Sequence, residues 1–313
     1  SGRGGPRVSH SLTVYDDDDH LATRVADYLA SGIERDQATI AVVDARKWAL
    51  LSEALGPAVT RLQHLDRDTF YTRPEAAIAG YDARIRRLVR DGARSVRVFG
   101  ELPLCVTQEQ VDTWITYEAI LNRAFERHPV SILCGCDARE QPDAIVEGSW
   151  RTHPHVLGQG WEDNHDYHDP AEIVRRHTRP SDSPLGLRSL DVDGDVGAFR
   201  RQLLAEMGAD EVPEPEARPL LIAAGELLAN ARRHGDGVRS VRVGRVGASF
   251  VCEISDRGPG IEDPLAGYVP PAAGGDAGGG LWVARQLSRR LDLLSTEYGL
   301  TARLWVQADR SAG

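Results

Sequence analysis

The regular alternation of short apolar segments with amphipathic ones in the first half of the chain constrains its fold most. Strand-like segments occupy residues 11–15, 39–43, 61–65, 96–99 and 130–134, and helical patterns lie between them at 21–31, 46–55, 75–90 and 109–127. Strands that alternate with helices of this length predict a mainly parallel sheet with helices on both faces. The first half therefore predicts an α/β domain whose regular pattern ends near residue 155.

A stretch rich in turn-forming residues follows this pattern. Residues 158–169 are rich in Gly, Asp, Asn and His, and Pro170, Pro180 and Pro184 come next, with a short helical pattern at 171–177. Such breakers predict a linker at 170–185. The 313 residues, a length typical of about two domains, then divide into a tail (1–7), a first domain (8–169), the linker and a second domain (186–313).

The second half has a different order of elements. Helical patterns occupy residues 196–207, 218–233 and 281–290, and strand patterns occupy 187–192, 238–246, 248–256, 292–297 and 301–306. Strands that follow one another directly, with helices before and between the pairs, are typical of α+β folds. The second domain is predicted to be a sandwich with helices on one face of a mixed sheet.

Charge composition excludes several functions. The chain has 37 basic and 47 acidic residues, so its net charge of −10 disfavours direct nucleic-acid binding. Lys47 is the only lysine, and it lies in Asp44-Ala45-Arg46-Lys47-Trp48, which has no glycine. A P-loop needs Gly-Lys-Ser/Thr, and a eukaryotic-type protein kinase needs a strand lysine and a His-Arg-Asp loop, so neither is predicted.

Cysteine content and apolar segments predict a cytoplasmic protein. Four cysteines are too few for a disulfide framework at this length. No apolar segment approaches the ~18 residues that span a membrane, and the glycine-rich start has no signal-peptide core. We therefore expect no membrane partner.

The long helical segment of the second half carries a polar stripe. Glu226, Asn230 and His234 are spaced i, i+4 and i+8, so they share one helical face, while Leu227 and Leu228 belong to the face suited for burial. Taken alone, the stripe is also what a solvated helix surface would show.

Two glycine-rich segments follow the stripe. The strand at 251–255 leads into Asp256-Arg257-Gly258-Pro259-Gly260, and Gly278-Gly279-Gly280-Leu281 opens the next helix. A glycine-rich helix N-terminus has free N–H groups and the positive end of the dipole, which suit phosphate. A simple turn would explain either segment alone.

The order of the three segments along the chain indicates a function more specifically than any one segment does alone. Glu-x-x-x-Asn on a helix, Asp-x-Gly-x-Gly and Gly-x-Gly-Leu resemble the N box and the two glycine boxes of the GHKL ATPases, over residues 186–307. With no preceding pair of dimerisation helices, the domain is most similar to the RsbW/SpoIIAB-type anti-sigma factors, which are serine/threonine protein kinases. The resemblance implies a GHKL (Bergerat) α/β sandwich.

The same resemblance implies roles for the boxes in binding ATP and Mg²⁺. Asn230 would offer its amide oxygen to Mg²⁺, Glu226 would act as general base, and Asp256 would accept from the adenine amino group. The remaining residues implied to bind the nucleotide are Gly258, Gly260, Gly278, Gly279, Gly280 and Leu281, with Arg233 and His234 adding positive charge. Residues 266–279 would form a mobile lid.

The resemblance also implies partners. An anti-sigma factor of this type sequesters a sigma factor, phosphorylates a STAS anti-anti-sigma protein and forms a homodimer. The alternatives are a non-catalytic ATP-gated binding module and a sensor histidine kinase. The last rests on His177-Thr178-Arg179-Pro180, which is shorter than a phospho-acceptor box and is followed by prolines that break a helix.

The first half resembles the MEDS sensory domain, whose core is similar to RecA and KaiC. The motifs that carry the resemblance are Phe99-Gly100-Glu101-Leu102-Pro103, residues 117–122 and 132–134, and Thr152-His153-Pro154. Residues 44–47 stand where a P-loop would follow the strand, so phosphate binding is not expected. The resemblance implies sensing or regulation rather than catalysis. It does not identify the ligand, and we expect a small molecule.

Several polar groups in the first half have two interpretations. Asp16–Asp19 is predicted to cap a helix, with a metal site as the alternative. Cys134-Gly135-Cys136 with His153-Pro154-His155 could form a metal or redox cluster, or Cys134 could be a buried thiol. Glu101 and Glu118 fit either a sensory pocket or a buried polar network.

Overall fold

The computed structural model describes residues 9–178, 182–191, 196–271 and 279–308. The chain divides into two compact units, residues 1–178 and 179–313. Within the described ranges, no helix combines the length and the apolar character needed to cross a membrane.

The first unit alternates strands with helices. Its strands are β1 (Ser9–Tyr15), β2 (Ala38–Val43), β3 (Leu62–Asp66), β4 (Val96–Glu101), β5 (Val130–Asp137), β6 (His155–Leu157) and β7 (Trp161–Asp163). Its helices are α1 (Asp18–His20), a π-helical segment (Leu21–Val25), α2 (Ala26–Glu34), α3 (Ala45–Leu55), a 3-10 segment (Gly56–Arg61), α4 (Arg67–Phe70), α5 (Pro74–Arg90), α6 (Gln108–Ala124), α7 (Asp143–Thr152) and α8 (Pro170–His177).

The strands of the first unit form one sheet in the order β3-β2-β4-β5-β1-β6-β7. Neighbouring strands are parallel except for β7, which runs antiparallel to β6. Every residue of β4 and β5 is buried, as expected for central strands covered on both faces. The predicted parallel α/β domain is therefore confirmed, although the sequence patterns missed α7, β6 and β7.

The short helix α8 packs within the first unit. Ile173 and Val174 are buried, α8 lies against α6, and His177 Nδ1 is 2.8 Å from Asp112 Oδ1. The sequence placed this helix in the linker at 170–185. The exact domain boundaries stay a prediction.

The second unit has five strands and three described helices. The strands are β8 (Arg188–Leu190), β9 (Val238–Val246), β10 (Ser249–Asp256), β11 (Arg290–Thr296) and β12 (Gly299–Gln307), and the helices are α9 (Val196–Ala209), α10 (Glu214–His234) and α11 (Gly279–Leu287). The strands lie in the order β11-β12-β10-β9-β8.

The predicted mixed sheet of the second unit is wrong, because every pair among its described strands is antiparallel. Tight turns join β9 to β10 and β11 to β12, and such hairpins can connect only antiparallel neighbours. Gly247 lies in the first turn with φ of +58°, and Gly299, directly after the second turn, begins β12 with φ of +130°. Left-handed backbone of this kind favours glycine.

Strand alternation gives the second sheet two different faces. On β10, Phe250, Cys252 and Ile254 join the hydrophobic core formed with the helices, which includes Leu203 and Leu228. The alternate residues of β10 belong to the opposite face, and Glu253 is buried there among charged groups. Packing of the helices on one face positions α10 and α11 beside the end of β10.

Candidate functional site

A cavity of about 300 Å³ lies in the second unit between α10, the carboxyl end of β10 and the start of α11. Its walls combine apolar side chains, such as Leu227 and Ile254, with polar groups from α10 and β10. A concave site with a few convergent polar groups is the usual form of a small-molecule site. Of the residues predicted to bind nucleotide, the lining includes Asn230, Arg233, His234, Asp256, Gly258, Gly260 and Leu281.

Because Gly280 has no side chain, the polar stripe of α10 can pack closely against the start of α11. A Cβ at Gly280 would lie 2.9 Å from Asn230 Nδ2, 3.0 Å from Asn230 Oδ1 and 3.1 Å from Glu226 Oε2. Any larger residue would press on these two half-buried side chains. The carboxylate, the amide and the N-terminal turn of α11 therefore share one small space.

Asp256 is held rigidly at the end of β10. The residue is 7% exposed, and its Oδ1 accepts hydrogen bonds from the backbone N–H of Gly258 at 3.1 Å and of Leu300 at 2.8 Å. Among the described residues, no group donates to Oδ2. The fixed carboxylate thus retains an acceptor atom beside the cavity.

Two glycines that the sequence did not single out as site residues make room for Asp256. A Cβ at Gly235 would lie 2.4 Å from Asp256 Oδ2, and a Cβ at Gly299 would lie 2.3 Å from the Asp256 carbonyl oxygen. Gly235 has φ of −108°, so close approach rather than backbone conformation requires glycine there. For Gly235, the only signal in the sequence that could have indicated this role is its position directly after the polar stripe.

The other predicted glycines differ in their surroundings. A Cβ at Gly258 would lie 2.7 Å from Gly235 Cα, and Gly260 has φ of +82°, so both positions require glycine. Gly279 begins α11, and a Cβ there would meet nothing within 4 Å. Gly278 and residues 272–277 of the predicted lid lie outside the described residues. Arg233 and His234 are exposed at the end of α10.

An arginine that sequence reasoning missed anchors the first residues of the predicted lid. The Arg285 guanidinium stacks 3.5 Å from the centre of the Tyr268 ring, and its Nε donates to the Ala266 carbonyl at 3.3 Å. Its Nη1 donates to the Leu291 carbonyl at 3.3 Å. Arg285 therefore links the segment around Tyr268 to α11 and β11.

Comparisons with known protein families match the two halves of the chain to two different families. Residues 9–154 match the MEDS family, described as the methanogen/methylotroph, DcmR sensory domain, and residues 190–305 match the histidine kinase-like ATPase domain family. The chain combines a MEDS domain with a histidine kinase-like ATPase domain. No curated protein matches it.

Several solved structures resemble part of this chain. One of them, the crystal structure of the RsbU and RsbW domains of Rv1364c from Mycobacterium tuberculosis, is 20% identical, with a TM-score of 0.29. The match covers 40% of this chain and 32% of that one, so this chain spans about a third of that structure's length.

In the MEDS domain, the single lysine lies at the carboxyl ends of the parallel strands. Lys47 is 1% exposed, and its Nζ lies 2.7 Å from Glu101, 3.1 Å from Glu140 and 3.3 Å from Asp137. Burial opposes ionisation of Asp137, but hydrogen bonds from Arg139 and the charge of Lys47 outweigh it and lower its pKa to about 2. Carboxylates thus hold Lys47 where related folds bind ligands.

The structure distinguishes between the alternatives that the sequence left open for two other groups in the MEDS domain, the acidic run before α1 and the Cys/His motifs. Asp17 caps α1 by accepting the His20 N–H at 2.7 Å, so the capping interpretation is confirmed for that residue. Cys136 and His155 do not join a metal-binding group, and His155 Nδ1 instead lies 3.1 Å from Asp163. Cys134 and His153 do come together, with Glu118 and with His10, a residue that sequence reasoning did not single out.

Proposed function

We propose that the histidine kinase-like ATPase domain binds Mg-ATP in the cavity between α10, β10 and α11. The observation that carries this proposal is the contact at Gly280, which places Glu226 and Asn230 against the first turn of α11. A helix N-terminus provides N–H donors and a positive dipole for phosphates, and the family of the domain supports a nucleotide ligand.

The donor set of the cavity fits this ligand. Mg²⁺ prefers oxygen ligands, and Asn230 offers an amide oxygen. Asp256 Oδ2 is an acceptor without a donor among the described residues, and it suits the amino group of an adenine. The close approaches at Gly235 and Gly258 keep side chains out of this part of the cavity, so a flat ring can approach the carboxylate.

Glu226 is the proposed general base. Bound Mg²⁺ would neutralise charge on the phosphates, and the protein would position the attacking hydroxyl. Glu226 lies one helical turn before Asn230 and shares the contact with Gly280, so its carboxylate is beside the proposed phosphate position.

For the whole chain we propose an anti-sigma regulatory factor. The ATPase domain would sequester a sigma factor and phosphorylate a serine or threonine of a STAS anti-anti-sigma protein, under control of the MEDS domain. The proposal includes a homodimer in the cytoplasm and a small-molecule ligand of the MEDS domain. The pairing of a sensory domain with an ATPase domain supports a regulator.

Nucleotide binding is tested with the full chain and a fluorescent ATP analogue. We expect Asn230→Ala to raise the Kd for Mg-ATP at least about tenfold, since a Mg²⁺ ligand is lost. Arg218→Ala is the matched control, because Arg218 is exposed near the other end of α10. Equal affinity of the wild type and Asn230→Ala would overturn the proposal.

Phosphotransfer is tested separately with a purified STAS protein and radiolabelled ATP. Glu226→Gln should abolish labelling of the STAS protein while the Kd for ATP changes less than about threefold. If the wild type binds ATP tightly and labels no STAS substrate, the alternative of a non-catalytic ATP-gated module is favoured.

The sensor histidine kinase is the weaker alternative. His177 ends an eight-residue helix, and its Nδ1 contacts Asp112 within the MEDS-containing unit. An acid-labile phosphoryl group on His177 after incubation with ATP would nevertheless establish it.

A further inference from the structure

Four buried side chains of the MEDS domain converge on one point. His10 comes from β1, Glu118 from α6, Cys134 from β5, and His153 directly follows α7. One nitrogen, oxygen or sulfur atom of each lies within 4.8 Å of those of the other three, and each residue is at most 7% exposed.

The distances are close to those of a metal coordination shell. His10 Nε2 lies 2.9 Å from Glu118 Oε2 and 3.2 Å from Cys134 Sγ, and Cys134 Sγ lies 3.3 Å from the same carboxylate oxygen. His153 Nε2 is 3.2 Å from that oxygen. Tetrahedral zinc with ordinary bond lengths would separate such atoms by about 3.3–3.6 Å, so small shifts would accommodate an ion.

The orientation of His153 shows that a lone pair is directed into this group. His153 Nδ1 lies 2.7 Å from the carbonyl oxygen of Ser149, which can only accept, so Nδ1 carries the proton. Nε2 is then an acceptor, and it is fully buried with no hydrogen-bond partner in the described structure. A buried acceptor that faces a carboxylate is costly unless a cation lies between them.

His10 is oriented in a similar way by Asn122. The Asn122 amide nitrogen donates to the carbonyls of Glu118, Ala119 and Thr152, which turns its Oδ1 towards His10 Nδ1 at 3.3 Å. A neutral imidazole has one N–H, so with Nδ1 as donor its Nε2 lone pair also faces the group. Metal-binding histidines are typically oriented in this way by an acceptor at the other nitrogen.

From this geometry we infer that His10, Glu118, Cys134 and His153 bind one transition-metal ion, with zinc as the best match. Imidazole nitrogen, carboxylate oxygen and thiolate sulfur are all zinc ligands. On binding, the Cys134 thiol releases its proton to solvent as the zinc–sulfur bond forms. The thiolate and the carboxylate then neutralise the two charges of the ion, which suits a buried position.

A site closed by four protein ligands is structural or sensory rather than catalytic, because no position stays open for a substrate. Its ligands come from β1, β5, α6 and the segment between α7 and β6. Occupancy would therefore fix the position of His153 relative to the central strands, and loss of the ion would release it.

The test uses the full chain without a polyhistidine tag, loaded with Zn²⁺ and dialysed. Elemental analysis should find about one zinc per chain in the wild type and in Cys136→Ser, and at least about fivefold less in Cys134→Ser. Cys136 is the matched control, since it is buried on the same strand and lies outside the group. A wild type with less than about a tenth of a zinc per chain would overturn the inference.

A spectroscopic measurement on the wild type keeps the inference testable if Cys134→Ser does not fold. Co²⁺ bound in place of zinc should give a thiolate-to-cobalt charge-transfer band in the wild type and in Cys136→Ser. The absence of this band in folded, cobalt-loaded wild type would also overturn the inference, as would an equal band in folded Cys134→Ser.

Discussion

Gly235 shows how one residue can decide the shape of a binding site without contributing a functional group. It directly follows α10, and a Cβ at this position would lie 2.4 Å from Asp256 Oδ2. Its own backbone conformation is open to any residue. The requirement for glycine therefore comes from the carboxylate and not from the turn.

We predict that Gly235→Ala weakens nucleotide binding more than it weakens folding. The added methyl group would displace the Asp256 carboxylate from its hydrogen bonds with Gly258 and Leu300. We expect the Kd for Mg-ATP to rise about ten- to a hundredfold, equivalent to ~1.4–2.8 kcal/mol. Isothermal titration calorimetry on the full chain would measure it.

Gly208→Ala is the control for this substitution. Gly208 lies in α9, and a Cβ there would meet no atom within 4 Å. Alanine should leave the Kd unchanged and raise the free energy of unfolding by about 0.5–1 kcal/mol, because glycine is unfavourable in a helix. An unchanged Kd in Gly235→Ala would show that Asp256 does not contact the nucleotide.

At the scale of elements, Glu253 joins three strands of the second sheet. Its Oε1 accepts from Arg242 Nε on β9 at 2.8 Å, and its Oε2 accepts from Arg303 Nε on β12 at 2.6 Å. Glu253 lies directly opposite both arginines in the sheet register. Burial disfavours ionisation, but hydrogen bonds from Arg303 and Arg242 outweigh it and lower the pKa of Glu253.

We predict that Glu253→Gln lowers the free energy of unfolding at pH 7 by about 3 kcal/mol, because Arg303 and Arg242 would then face a neutral amide in place of the buried carboxylate. A lowered folded-state pKa stabilises the protein above the unfolded value of about 4.3, and this contribution is lost as the pH falls further. Urea unfolding from pH 7 to pH 3 should therefore show a flatter pH dependence in the variant.

The exposed pair Glu214–Arg218 provides the comparison for Glu253. Both side chains are more than 70% exposed, although their charged atoms lie 2.7 Å apart. Glu214→Gln should change the free energy of unfolding by less than about 0.5 kcal/mol. Equal effects of the two substitutions would contradict a special role for the buried carboxylate.

On the scale of the whole molecule, each unit has a hydrophobic core of its own. The core of the first unit includes Leu29, Phe99 and Leu133, and that of the second includes Leu228 and Phe250. Chains with separate cores commonly unfold in more than one step.

We predict that calorimetry of the full chain shows two thermal transitions. Saturating Mg-ATP should raise the Tm of one of them, since a ligand stabilises the unit that binds it. Glu253→Gln should lower the Tm of that same transition, which assigns it to residues 179–313. A single transition, or a shift by Mg-ATP of the transition that Glu253→Gln leaves unchanged, would contradict this picture.

Local periodicity was enough to predict the first sheet, because parallel buried strands produce runs of apolar residues that a single sequence displays. The same principle failed for strand direction in the second unit. An apolar strand pattern does not show which strand will be its neighbour or in which direction that neighbour runs. Only the folded sheet shows that the chain turns back in hairpins next to Gly247 and Gly299, so that the paired strands are antiparallel.

The sequence by itself determined the two-part α/β and α+β organisation and the ordered glycine and polar segments of the ATPase domain. Only the tertiary structure decided which residues lie together. Gly235 and Gly299 limit the space around Asp256, and Arg285 reaches Tyr268, through contacts between distant elements. His10 and Cys134 are 124 positions apart, yet parallel pairing of β1 with β5, in which His10 lies opposite Ile132, brings His10 Nε2 to 3.2 Å from Cys134 Sγ. Spacing along the chain carries no information about such contacts, because strand pairing and helix packing create them.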